Sequence, residues 1–315
     1  PMKPMNDAMM RSTIRDEYGK INLNALLVPD ESGALVENEW LVQALRVFFQ
    51  LRDPELGLDP VDAILDWLDY GDSDEERPEG AEKDYYAGLE IPYPCKNGPM
   101  DSVEELLLIP GITPELYYGD PKEVEKAAEQ EGMPPVLPLS AYLTVHGDWQ
   151  GRVNVNTAEY DTLLAVLTGY AQTEPGASYD PQLVTDQIFE FQFNEQPITN
   201  LNELRQIMPV QSGPAVNPRQ QRQVAQPRFG AKQGRQPVPP VQSPAPGEVQ
   251  QRQAGGAEAI FRVNSYVFRI HGDGMMDDTL VRIEAVVWRS PFDPTDIEGR
   301  GTADPFRILA WKVIQ

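Results

Sequence analysis

A chain of 315 residues with 41% apolar content can bury a sizeable core, as one large domain or two to three smaller ones. Its net charge of −23 opposes nucleic-acid phosphates, whose binding rests on Lys and Arg, and favours cations or basic partners. A single cysteine, Cys95, excludes an intrachain disulfide, and no apolar run reaches the roughly 18 residues of a transmembrane helix. No signal peptide is visible, and Pro1 in place of Met points to a segment removed upstream.

In chain order, Gly19-Lys20-Ile21-Asn22-Leu23-Asn24-Ala25 alternates apolar and amide residues and reads as a short extended segment opening into a helix, with Asn24 as N-cap. Trp40, Leu41, Ala44, Leu45, Val47 and Phe48 form a helical apolar face. A second helix covers Val61–Leu68. The stretch Asp66–Asp84 then places nine carboxylates in nineteen residues against only Arg77 and Lys83. Val103, Leu106, Leu107 and Ile109 predict a further helix, capped by Asp101 or Ser102, with Glu104 and Glu105 in its first turn and Pro110-Gly111 at its end.

The opening segment returns as Gly151-Arg152-Val153-Asn154-Val155-Asn156-Thr157-Ala158, with Asn156 as N-cap. Val184–Phe191 loosely echoes the second helix, and Asn200–Ile207 echoes Ser102–Ile109. Two related small helical units follow from this, the second without a counterpart to the acidic stretch. A Pro/Gln-rich stretch of local charge +5 comes next and reads as a disordered linker. The remainder reads as an antiparallel meander: Ala259–Ile270, a turn cluster from His271 to Asp278, Leu280–Arg289 with Val281, Ile283, Ala285 and Val287 on one face, and Phe306–Ile314. Its apolar face must pack on something, and the segment upstream of Pro1 is the natural partner.

The acidic stretch has two readings. One is solvated charge. The other is a divalent cation, because calcium takes six to eight oxygens from carboxylates, carbonyls and water. Asp66 and Asp69 lie one turn apart at a helix end. Asp72, Asp74, Glu82 and Asp84 sit in a loop that Gly71, Pro78 and Gly80 allow to curl back. It is no EF-hand, since counting from Asp72 puts Arg77 and Lys83 where that loop needs Gly and Glu.

The series RDEYGKINLNAL, DWLD…RPEGAEKDYY, NGPMDSVEELLLIPGITPELY, VNVNTA and a closing meander resembles the minor pseudopilin K family of bacterial type II secretion, over most of residues 12–210 and more loosely over 259–315. The resemblance implies an α+β fold: a pilin-like antiparallel sheet with a large inserted helical domain of two SAM-like units, the N-terminal anchor helix being absent from this chain. It also implies calcium in the acidic segment, at Asp69, Asp72, Glu82 and Asp84 first and then Asp66 and Asp74. Minor pseudopilins I and J are the implied partners at the tip of a periplasmic pseudopilus, anchored at the inner membrane in the full-length form. The resulting division is a sheet remnant at 1–18, a first helical unit at 19–120, a connector at 121–149, a second unit at 150–208, the linker at 209–257 and the C-terminal sheet at 258–315.

Leu106–Thr113 with VNVNTA also resembles tandem helix-hairpin-helix DNA-binding modules. Thr113 replaces the second hairpin glycine, Pro114 has no N–H, and Glu115 and the net charge oppose a polyanion. His146 and His271 are isolated in Gly-Asp contexts, and no hydrolase, zinc-protease or phosphate-loop pattern is present, so the chain reads as non-enzymatic.

Overall fold

The described residues of the computed structural model are 3–5, 8–56, 59–71, 76–129, 136–208, 256–276, 279–289 and 306–314. β1 (Lys3–Met5) pairs antiparallel with β2 (Ala8–Asp16), and the chain then leaves this sheet at Glu17. β3 (Ile21–Asn22) is buried and runs into a 3-10 turn, Leu23–Ala25. β4 (Leu27–Pro29) and β5 (Leu35–Glu37) form a short antiparallel pair. α1 (Glu39–Arg52) buries Leu41, Ala44, Leu45 and Phe48, with Glu39 in its first turn and Arg52 in its last, both complementing the helix dipole.

α2 (Val61–Leu68) is buried at all but one position, and α3 (Lys83–Ala87) is little more than one turn. A 3-10 helix, Val103–Leu108, opens on a Ser102–Glu105 capping box. α4 (Pro114–Tyr118) is capped by Thr113, whose hydroxyl accepts from Leu116 N at 3.1 Å. α5 (Pro121–Glu129) follows, and β6 (Leu143–Thr144) then returns parallel to β3, with Ile21 opposite Leu143.

The second half repeats the plan. β7 (Val153–Asn154) leads to α6 (Tyr160–Thr173) and α7 (Pro181–Phe193), the latter capped by Asp180 with Pro181 in the first turn. α8 (Ala257–Ile260) precedes β8 (Phe261–Arg262), which returns parallel to β7 with Val153 opposite Phe261. The amides repeat as well. Asn22 and Asn154 each accept from the backbone N–H two residues on, at 3.2 and 3.1 Å. Asn24 clasps Met100 through both its N–H and its C=O, and Asn156 clasps Ile198 in the same way, all at 2.7–2.9 Å. Asn24 and Asn156 are therefore clamps rather than the expected N-caps, since the cap function falls two residues earlier. α1 and α6 cross so closely at Gly169 that a Cβ there would lie 2.4 Å from Ala44 N.

β9 (Val267–Met276), β10 (Thr279–Arg289) and β11 (Phe306–Ile314) complete a five-stranded antiparallel sheet of order β1-β2-β9-β10-β11. β2 and β9 are neighbours, so residues 17–266 form an excursion between adjacent strands. Two expectations change here. His271–Gly274 is strand, not turn, because His271 pairs with Thr13 on one side and Glu284 on the other. The sheet resumes at Val267 rather than 258, because Ala257, Ile260 and Phe261 are buried in the helical core beside Val153. The segment 121–149, expected as a connector, contains β6 and closes the first unit onto β3. The predicted linker lies almost wholly outside the described residues.

Among the described residues, one face of the sheet is left uncovered. Ile14, Ile283, Trp311 and Val313 share it by register and are exposed, Ile14 and Trp311 by 67% and 68%. The other face meets the helical excursion through ions. Buried Glu17 accepts from Lys20 Nζ (2.5 Å), from Arg269 Nε (3.0 Å) and Nη2 (3.1 Å), and from the Thr144 hydroxyl. Arg269 also donates to Glu284, which His271 Nε2 approaches at 3.1 Å and Lys312 at 3.3 Å. Burial raises the Glu17 pKa, but Arg269 and Lys20 outweigh it and hold the carboxyl at about 2. Glu284 is held at about 2 chiefly by the neighbouring His271 imidazole, with Arg269 and Lys312 adding to it. Lys20 gains from Glu17, yet its burial dominates and lowers its pKa.

Both carboxyls are depressed in the fold, so their contribution is complete above about pH 4.5 and is lost as pH falls towards 2. Urea unfolding should show that loss. Glu17→Gln should cost about 3–5 kcal/mol at pH 7, because it strands Lys20 and Arg269, and should flatten the acid dependence. An unchanged acid slope in the variant would contradict this assignment.

Candidate metal centre

The acidic segment starts inside a helix. Asp66 is the sixth residue of α2 and fully buried, and Asp69 caps the C-terminus of that helix and accepts from Gly71 N at 2.9 Å. The chain returns at residues 76–82 and brings Arg77 onto both carboxylates. Arg77 Nη1 lies 2.6 Å from Asp66 Oδ1 and 2.6 Å from Asp69 Oδ2, and the same guanidinium reaches Glu37 at 3.2 Å. The second Asp66 oxygen accepts from Arg77 N at 3.3 Å and Ala81 N at 3.0 Å. Burial works against the Arg77 charge, but Asp69 and Asp66 outweigh it and raise its pKa.

Glu82 completes the group. It precedes α3, is 1% exposed, and neither of its carboxylate oxygens has a hydrogen-bond partner among the described residues. Burial, followed by the charges of Asp66 and Asp69, pushes its carboxyl up to about 7. The two glycines are needed for space. A Cβ on Gly71 would meet Asp69 Oδ1 at 2.9 Å and Glu82 Oε1 at 3.0 Å, so these carboxylates converge there, and a Cβ on Gly80 would lie 1.8 Å from Asp66 Oδ2. Asn97, held at φ 49°, donates to Gly71 O at 2.8 Å and leaves its own carbonyl oxygen buried and unpartnered. Trp67 and Tyr93 each pack against Tyr86, with ring centroids 5.3 Å apart in both pairs.

Of the six predicted ligands, the structure brings Asp66, Asp69 and Glu82 together. Asp84 is exposed in the first turn of α3, and Asp72 and Asp74 lie outside the described residues. Among the described residues no three acidic, His or Cys side chains are set for one ion. The guanidinium of Arg77 lies between Asp66 and Asp69 and serves them as counter-cation. The chemistry that suits a hard cation is confined to Glu82, whose two oxygens are buried near Asp66 and Asp69 with no donor among the described residues. Arg77 and Asn97 were missed from sequence. The signal for Arg77 was its isolation among nine carboxylates, while Asn97 gave none.

Residues 19–119, which include the whole of this site, match the family described as type II secretion system (T2SS), protein K. A type II secretion system protein K of Aeromonas hydrophila is 33% identical over 120 residues, 36% of each chain, so the match spans about a third of that relative's length. The fold is similar, with a TM-score of 0.57 at 14% identity, to a chain in the crystal structure of the GspK-GspI-GspJ complex from the enterotoxigenic Escherichia coli type 2 secretion system, covering 100% of this chain and 83% of that one. Nothing in these likenesses supports the helix-hairpin-helix DNA reading. The region in question is a capped 3-10 helix followed by α4, with Ile109 and Ile112 buried in the core.

An ionised Glu82 has no compensation in the metal-free fold. Its raised pKa means that stability falls as pH climbs from about 4.5 to about 7. Glu82→Gln should therefore raise the melting temperature in chelator at pH 8, by up to about 3 kcal/mol of stability, and do little at pH 4. A variant that is less stable than the parent in chelator at pH 8 would contradict the unpaired assignment.

Proposed function

We propose that the chain is a minor pseudopilin of the protein K type, a non-enzymatic component at the tip of a type II secretion pseudopilus. The observation that carries this reading is a coincidence of two likenesses: the protein K match falls on residues 19–119, and the whole chain shares its fold with a chain of the GspK-GspI-GspJ complex. Minor pseudopilins I and J of the same system are the proposed partners, and export of folded proteins across the outer membrane is the proposed process. The head works in the periplasm, and the open apolar face of the sheet takes an apolar N-terminal helix that anchors the full-length protein in the inner membrane. No helix among the described residues is itself long and apolar enough to cross a membrane. The two helical units serve as a SAM-like framework that sets the acidic segment on the outside of the head.

Calcium is part of this proposal. Asp66, Asp69 and Glu82, with Asp72, Asp74 and Asp84 of the same segment, would hold it, and it would supply the positive charge that the Glu82 oxygens lack. Asp66 and Asp69 already hold the returning loop through Arg77, so their part is to position that loop, and Glu82 contributes the oxygens that remain free.

Two measurements test the reading. Co-expression with minor pseudopilins I and J should yield a stoichiometric complex on size-exclusion chromatography, and failure with both siblings would overturn the pseudopilin assignment. Calcium at a thousandfold excess over Kd should add about 4 kcal/mol, several degrees of melting temperature, with no comparable effect of magnesium. The double variant Asp69→Asn, Glu82→Gln should lose that rise, and a full rise in the variant would remove these residues from the site.

A further inference from the structure

The returning chain is held to α2 by its backbone and, separately, by one side chain. The backbone bonds go to helix carboxylates: Arg77 N and Ala81 N donate to Asp66 Oδ2 at 3.3 and 3.0 Å, and Glu79 N donates to Asp62 Oδ2 at 3.3 Å. The side chain is that of Arg77. Its Nη1 donates to Asp66 Oδ1 and Asp69 Oδ2, both at 2.6 Å, while Nε and Nη2 of the same fork turn to Glu37 Oε1 on β5, each at 3.2 Å. The guanidinium can therefore leave Asp66 and Asp69 without the backbone leaving α2, and Glu37 gives it a second anchor.

The place that Nη1 occupies is one that a divalent ion would contest. A single cationic group stands 2.6 Å from the oxygens of two carboxylates, and calcium takes its ligands at about 2.3–2.6 Å. A third carboxylate is close by and unserved. Glu82 is 1% exposed, and both its oxygens lack a donor among the described residues. Its Oε1 converges with Asp69 Oδ1 over Gly71, 3.0 and 2.9 Å from where a Cβ would stand. Arg77 thus satisfies two of the three carboxylates and leaves the most buried pair of free oxygens to something else.

We propose that Arg77 sets the cation affinity of this site: its guanidinium is a built-in competitor for Asp66 and Asp69, and a divalent ion joins them to Glu82 only as that side chain swings towards Glu37. This inference rests on the calcium reading and adds the residue that tunes it. A competitor that holds the carboxylates nine-tenths of the time or more weakens the apparent affinity about tenfold or more. Arg46 has no such part, since its ion pairs are with Asp59 and Asp62 at the start of α2.

The test titrates the full chain with calcium chloride by calorimetry, alongside thermal melting in chelator. Arg77→Met keeps an apolar stem and brings no oxygen of its own to an ion. It should melt lower than the parent in chelator, because buried Asp66 loses its counter-charge, and yet bind calcium about tenfold more tightly. Where it is unfolded in chelator, circular dichroism should show it folding as calcium is added. Arg46→Gln should change the affinity by less than about threefold, which separates displacement from general charge attraction. Binding by Arg77→Met but not by the parent would support the proposal as a complete block. Equal or weaker binding by Arg77→Met, a variant that stays unfolded at millimolar calcium, or an equal gain from Arg46→Gln would each overturn the proposal while the parent's own binding upholds the calcium reading. Absence of binding by parent and variant alike would overturn both.

Discussion

The carboxylate of Glu17 is the joint of the molecule. It is the first residue past β2, its N–H donates to Val267 O at the point where the chain re-enters the sheet, and its side chain gathers Lys20, Arg269 and Thr144. These groups come from the start of the excursion, from the sheet and from β6. A buried charge of this kind costs several kcal/mol to desolvate and is tolerated only because every lone pair is matched. The gain is orientation more than stability: an apolar contact in the same place would allow the helical units to slide across the sheet, whereas four directional bonds on one carboxylate do not. The neighbouring strand end is fixed in the same manner. Asp16 accepts from Asn154, Thr157 and Ser265, and Arg262 lies over the Tyr18 ring at 4.2 Å while pairing with Asp148.

That joint also explains the use of charge elsewhere. At the junction, acid and base are balanced to the last lone pair. In the acidic segment the balance is left incomplete, because Arg77 serves Asp66 and Asp69 and nothing serves Glu82. The contrast is one of completeness: the junction matches every carboxylate lone pair, whereas the Glu82 oxygens are buried without a donor among the described residues.

Much of this was legible in the sequence. The alternation of Leu280–Arg289 announced β10, and the paired INLN and VNVN segments announced two equivalent openings whose amides do equivalent work. The errors share a cause, which is that local pattern does not report through-space pairing. Ala259–Ile270 reads as one strand of the sheet, but Phe261-Arg262 is a separate short strand paired with β7 and β9 starts only at Val267, because Ile260 and Phe261 find their apolar neighbours in the helical core. Asn24 has the composition of a cap, yet the short 3-10 turn places the cap at Asn22 and frees Asn24 to reach Met100, 76 residues away. Two glycines in His271–Gly274 mimic a turn, but β2 and β10 supply pairing on both sides and the glycines lie flat.

The candidate site was legible to the same degree and for the same reason. Composition located the segment, and spacing along the chain could place Asp66 and Asp69 on one helix end. Spacing could not say that Asp84, two residues after Glu82, would turn outward once Glu82 preceded a helical turn and pointed inward. Nor could it say that a guanidinium would enter the cluster. With Arg77 inside, Asp66 and Asp69 are already paired with a cation of the chain itself. Of the three carboxylates brought together here, Glu82 is the one without a donor among the described residues, so the proposed cation would meet a group already in place rather than fold a loop around itself.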